Sequence, residues 1–123
     1  MRNVIHEDEV RAVSLPGREH KMIIGPGLFG NARNMSFGVA KFPPLSHAPS
    51  HVHEEAEEII YFLQGSGQMY FDGQPQRVEP GCCVYVPKKV RHSIKNDSDR
   101  PMKLCYVFSP PVKQGSYEEK KEK

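Results

Sequence analysis

At 123 residues the chain has the length of one domain with one modest core. Lys and Arg exceed Asp and Glu by only 17 to 15, a net charge of +2, which excludes the strongly basic field of a nucleic-acid binder. No apolar run is long enough for a helical membrane span, and the three cysteines, Cys82 beside Cys83 and Cys105 alone, speak against a disulfide scaffold.

The thiols suit a reducing compartment, and no apolar leader follows Met1, so the expected location is the cytoplasm. Residues 1–16 mix charges with Val4, Ile5, Val10, Val13 and Leu15, which fits short strands or an arm covering a partner. Pro16-Gly17 punctuates them, Lys21 to Ile24 is a short β candidate, and Gly25 to Gly30 is a turn-rich loop. That loop lacks the Gly-Lys-Ser/Thr ending of a phosphate loop, and no helical pattern follows it. Met35 to Phe42 alternates as a strand and stops at Pro43-Pro44, after which Leu45 to Ser50 lead to the first of a pair of histidines.

His51 and His53 stand two apart, so in an extended chain their side chains leave the same face while Val52 points away. The following run, Glu58 to Leu63, is a strand in which Glu58 shares a face with Ile60 and Phe62; a bulge would put Glu57 in its place, so Glu57 stays as the alternative. Gly67 to Gly73 is a strand with a hairpin signal at Asp72-Gly73, and Pro75 opens a short run to Val78. Strands are then expected at Cys82 to Val86, Val90 to Ile94 and Lys103 to Phe108, the last closing at Pro110-Pro111, with His92 in the second of them. No long helical periodicity appears. Short strands separated by Gly and Pro turns bury their apolar faces by closing over one another, as a small β-barrel or sandwich. Residues 113–123 read as a flexible, charged tail.

Two imidazoles and a carboxylate suit a borderline divalent ion, and His92 is the candidate fourth donor from a separate strand. The set His51, His53, Glu58 and His92 resembles the metal site of the cupin superfamily, of the small single-domain Cupin 2 type. His51, His53, Glu58 and Gly65 match its first motif, and Gly81, Pro87, His92 and Asn96 match its second. The chain departs from the pattern at the leading glycine of the first motif, where Leu45 or Ser46 stands, and at Lys89, which replaces the internal glycine of the second. The resemblance implies an all-β, double-stranded β-helix (jelly-roll) cupin barrel over residues 35–112, preceded by N-terminal strands and a loop (1–34) that form a possible dimer arm. It also implies a homodimer, a small-molecule ligand, and one divalent transition metal per chain, drawn from Mn, Fe, Ni, Zn and Cu.

The function expected from this site is metal-dependent isomerase or lyase chemistry on a small oxygenated substrate such as a sugar, sugar acid or hydroxy-keto acid. The alternatives are an iron-dependent dioxygenase and a noncatalytic ligand-binding cupin. His47 at the rim is a candidate acid or base, although a plain loop histidine is the simpler reading. Tyr70 and Tyr106 are candidates to orient a substrate or a bound water, and parity does not say which faces the cavity. Both, with Tyr85, Met35, Phe37, Phe62 and Phe108, also read as wall and core. Arg33 and Lys41 are candidates to grip a substrate carboxylate, with surface charge as the plainer role. Glu54, Glu55 and Glu57 read as solvated carboxylates. Cys82 and Cys83 cannot both face inward on one strand, and Asn96 is expected to fasten its turn. Because a ligating imidazole must be neutral, metal binding is expected to weaken as pH falls through the histidine range.

Overall fold

The computed structural model describes residues 2–112 of the chain. Among the described residues, a 3-10 turn at Glu7–Glu9 is followed by ten strands: β1 (Val13–Leu15), β2 (Arg18–Ile24), β3 (Ser36–Phe42), β4 (Ser46–His47), β5 (Glu57–Gln64), β6 (Gly67–Phe71), β7 (Gln74–Val78), β8 (Cys83–Val86), β9 (His92–Asn96) and β10 (Met102–Ser109). They form two antiparallel sheets, one of six strands in the order β1-β2-β3-β10-β5-β8 and one of four in the order β4-β9-β6-β7. The six-stranded sheet therefore begins before residue 35, because β2 pairs along β3. The charged tail at 113–123 lies outside the described residues.

Period-two alternation decides which side chains enter the space between the sheets. Ile60 and Phe62 of β5 are buried, as are Met102, Leu104, Tyr106 and Phe108 of β10 and Ile94 of β9, and they join Met69 and Val78 in one core, with Glu58 buried on the same face of β5. The opposite parity sends Ile59, Tyr61 and Leu63 of β5 and Tyr85 of β8 outward, each at least 43% exposed. Tyr85 is thus an outer-face residue rather than core, and Met35, just ahead of β3, is exposed as well. The N-terminal arm closes on this same chain: Lys103 Nζ donates to Glu7 Oε2 at 2.6 Å, and Lys21 Nζ to the Glu7 carbonyl at 3.0 Å.

The hairpin between β6 and β7 turns through Asp72 (φ 50°) and Gly73 (φ 84°), two left-handed residues as a two-residue I′ turn requires. Asn96 is fully buried and ties three segments together. Its amide donates to the carbonyls of Phe42, Pro43 and Arg100, and its oxygen accepts from the backbone and hydroxyl of Ser98. Cys82, just ahead of β8, packs toward the core, while Cys83, the first residue of that strand, is exposed.

The two departures from the cupin pattern explain themselves in the backbone. Leu45 has φ 55° and Lys89 has φ 69°, so both occupy the left-handed region that favours glycine. Leu45 is 73% exposed and loses little packing if truncated. Leu45→Gly is expected to stabilise the protein by about 0.5–1 kcal/mol, the left-handed cost of a side chain less the entropy of glycine. A thermal melt checks this, and a lower melting temperature would count against the backbone account.

Candidate metal centre

Two backbone contacts and one ring contact bring the histidines together. His51 and His92 form an antiparallel bridge in which each N–H donates to the other's carbonyl at 2.9 Å. Lys89, in its left-handed turn, donates its N–H to the His53 carbonyl at 2.7 Å. The His53 ring meets the edge of Phe108 at 4.8 Å between centroids, which sets its direction from β10. One ligand atom from each of His51, His53 and His92 then lies within 4.8 Å of the others, and all three residues are buried.

Glu58 completes the cluster. It is 6% exposed, and its Oε1 lies 3.3 Å from His92 Nε2 and 3.6 Å from His53 Nε2. Glu57 faces the other way, exposed, and accepts the Tyr85 hydroxyl at 2.6 Å. No bulge interrupts β5 between these two, so strand parity resolves the Glu57 or Glu58 ambiguity in favour of Glu58 as the carboxylate at the cluster.

The donor set fits a divalent ion. His51 Nδ1 faces the Pro49 carbonyl at 3.0 Å and His92 Nδ1 faces that of Val90 at 2.9 Å, so each Nδ1 carries the proton and leaves Nε2 a lone pair. Glu58 Oε1 and His92 Nε2 are buried with no hydrogen-bond partner among the described residues, a costly arrangement that a shared cation would relieve. Burial, reinforced by the His92 charge, holds the His51 pKa down to about 2, and burial with His92 likewise holds His53 to about 3. Burial raises the pKa of Glu58, with the His92 imidazole opposing it. The His51 and His53 imidazoles therefore stay neutral and ready to ligate well below the ordinary histidine range.

A cavity of about 30 Å³, room for about two waters on the same measure, opens beside the cluster. Its wall includes His51, Glu58, His92, Tyr106, His20 and Arg18. Tyr106 is 3% exposed and its hydroxyl lies 2.6 Å from His20 Nδ1. Gly38 sits opposite Tyr106 across the β3–β10 pairing, and a Cβ there would come within 2.7 Å of the hydroxyl, so the glycine makes room for this residue.

The other sequence candidates fall elsewhere. Tyr70 follows the buried Met69 on β6 and so leaves the opposite face; it does not line this cavity. His47 is exposed on the edge strand β4 and is also absent from the wall. Arg33 is exposed, and Lys41 leaves the outer face of β3, opposite the buried Ala40 and Phe42. Arg18 and His20 are not among the sequence candidates. The alternation of Arg18, His20 and Met22 is the signal that places them on one face, and it lies in the three residues by which β2 extends ahead of the expected start at Lys21.

Two antiparallel sheets closed over an inward-facing histidine cluster define a double-stranded β-helix with a candidate metal centre. The family model described as Cupin domain matches residues 38–108, and the chain belongs to the cupin family. It is 32% identical over 89 residues to an uncharacterised protein of Methanocaldococcus jannaschii, covering 72% of this chain and 70% of that one. Among solved structures it is similar to a predicted oxalate decarboxylase of Thermotoga maritima, with a TM-score of 0.78 and 22% identity over 88% of this chain and 99% of that one. It is similar also to the polyketide cyclase RemF of Streptomyces resistomycificus, with a TM-score of 0.76 and 24% identity over 96% of this chain and 92% of that one. At those identities the likeness is one of fold. No helix among the described residues is long and apolar enough to cross a membrane.

Proposed function

We propose that the protein is a metal-dependent enzyme acting on a small oxygenated molecule by isomerase or lyase chemistry, with His51, His53, Glu58 and His92 holding one divalent transition metal. The observation that carries this reading is the meeting of buried, unsatisfied Glu58 Oε1 and His92 Nε2 in a cavity that also presents a tyrosine hydroxyl. A divalent ion held by these residues would supply Lewis acidity toward a carbonyl or enediolate oxygen. The chain's own contribution to proton movement is Tyr106 Oη. Burial, followed by the Arg18 charge, holds the His20 pKa near 3, so at neutral pH its partner is an uncharged imidazole and the phenol donates to Nδ1. The apolar walls Phe42, Ile60, Ile94 and Leu104 exclude water from the reacting face.

The names of the fold neighbours, a decarboxylase and a cyclase, support more than one chemistry on this scaffold and choose none. The site is small, which favours a small substrate. A cytoplasmic location belongs to the same proposal, supported by the three free thiols among the described residues.

Chelator-treated protein, incubated with a panel of small hydroxy-carbonyl compounds, is expected to be inert. Adding a redox-inert divalent ion without dioxygen is expected to restore turnover. A strict need for dioxygen would replace this reading with the dioxygenase. A compound bound to metal-loaded protein and recovered unchanged throughout would replace it with the ligand-binding protein.

A further inference from the structure

An antiparallel sheet that lays one face on the core ordinarily turns polar side chains to water on the other. β5 does not. Its successive outward positions are Glu57, Ile59, Tyr61 and Leu63, and all but the first are large and apolar. Pairing with the edge strand β8 sets Tyr85 beside Ile59 and Cys83 beside Tyr61, so the exposed groups form one stripe rather than scattered single residues. On the other flank β10 adds the half-buried Val107 and Cys105, opposite Ile59 and Tyr61.

The chain itself covers the remaining part of the same face. Glu7 is bonded to Lys21 on β2 and to Lys103 on β10, so the N-terminal arm crosses β3 between them. Val39 of β3 stands opposite Lys21 and, although it points outward, it is buried. Among the described residues no such cover reaches β5 and β8, where Ile59, Tyr61, Leu63 and Tyr85 stay close to half exposed. The segment 113–123 is mostly Lys and Glu, which does not match an apolar stripe.

Size and charge both suit a second copy as the cover. Two tyrosines, an isoleucine and a leucine near half exposure present about 400 Å² of apolar surface, as much as the largest patch on a typical monomer, about 300–600 Å². Interfaces are about 60% apolar, so this is the apolar share of about 700 Å² per copy, close to the roughly 800 Å² a side of a standard interface. An isologous contact sets each patch against itself, so a charged patch would repel its mate. Here the outward positions of β5 and β8 hold one charge, Glu57, which lies at the end of the stripe and accepts the Tyr85 hydroxyl. A partner of opposite charge would find little to select it.

We propose that the outer face of β5 and β8 binds a second copy of this chain, so that two barrels pack face to face about a twofold axis. The N-terminal arm stays on its own barrel. None of the stripe side chains lines the metal cavity, so the dimer is independent of the metal-centre reading.

Sedimentation of the full chain tests this. Wild-type protein is expected to sediment at twice the chain mass of 14.0 kDa. Ile59→Lys sets like charges across the twofold and is expected to raise the dimer dissociation constant at least about 100-fold, with an unchanged circular dichroism spectrum. Val4→Lys, on the exposed part of the arm, is expected to leave the dimer intact. Maleimide labelling read by mass spectrometry locates the contact, since Cys83 should react about tenfold more slowly in wild-type dimer than in Ile59→Lys monomer. If Ile59→Lys does not fold, Leu63→Lys carries both measurements. The second-copy interface is overturned if wild-type protein is monomeric at about 100 μM, if the β5 variant remains dimeric, if Val4→Lys dissociates the dimer, or if Cys83 labels equally fast in dimer and monomer. Monomeric wild-type protein that floats with phosphatidylcholine vesicles overturns it as well, giving the stripe to a lipid surface.

Discussion

His92→Ala protein is expected to fold and to lose its metal. Wild-type protein purified without chelator should carry about one transition-metal ion per chain, and the variant less than about a tenth of that, an affinity loss of at least about 100-fold. The fold survives because the bonds joining the His51 and His92 segments are backbone to backbone, two of 2.9 Å, and need neither imidazole. Removing the side chain also removes the orphaned Nε2, which offsets part of the packing lost at this fully buried position. His51→Ala should behave alike. Glu58→Gln preserves volume and should weaken metal binding, whereas Glu57→Gln, altered on the outer face, should leave it unchanged. Elemental analysis with circular dichroism on the same samples reads all four. Metal retained at full occupancy in His92→Ala would eliminate the proposed ligand set.

Metal-free protein is expected to lose stability steeply as the pH drops from about 6.5 toward 4. His20, His51 and His53 have folded pKa values near 3, 2 and 3, burial being the largest cause in each, against an ordinary value of 6.5. Below 6.5 the unfolded chain takes up protons that the folded protein refuses, so the stability these groups provide is complete above that value and declines with acid. Each contributes about 1.4 kcal/mol per pH unit, about 4 kcal/mol for the three together. Glu58 has the opposite sign. Its pKa is raised in the folded state, so between 4.5 and that raised value the native protein holds a proton the unfolded chain has released, which reduces the slope to about 3 kcal/mol per unit. Two to three pH units of acid at that slope remove about 6–9 kcal/mol, enough to unfold a domain in the lower half of the usual stability range of about 5–15 kcal/mol.

Urea midpoints of chelator-treated protein between pH 7 and 4.5 measure this slope. His20→Gln should remove about one third of the histidine contribution, and a stability that stays flat from pH 6.5 to 5 would eliminate the account. The same burial changes the expected acid release of metal. Inside the folded site the His51 and His53 imidazoles remain neutral through the ordinary histidine range, so metal is expected to leave with the fold rather than ahead of it.

Local pattern carried most of the architecture. Alternation along β5 placed Glu58 with Ile60 and Phe62, and the Asp72-Gly73 turn marked its hairpin, because side-chain direction and turn conformation depend on neighbours one or two residues away. The spacing of His51, His53 and His92 was legible for the same reason, and so was the anchoring role of Asn96. The Glu57 or Glu58 choice remained open in sequence because it depended on whether β5 carries a bulge, which its pairing with β8 and β10 settles.

Which face of each strand meets the core depends on pairing between distant segments. Tyr70 and Tyr106 are equivalent by local pattern, yet Met69 takes the inward position on β6 and Tyr106 takes it on β10. Arg18 and His20 lie more than thirty residues before His51, and it is the pairing of β2 with β3, and of β3 with β10, that brings them to the cavity. The elements and a candidate ligand set are legible in the sequence, since these follow from periodicity and short-range stereochemistry. The charge and proton-bearing wall facing that set is a product of long-range strand pairing, to which local periodicity carries no information.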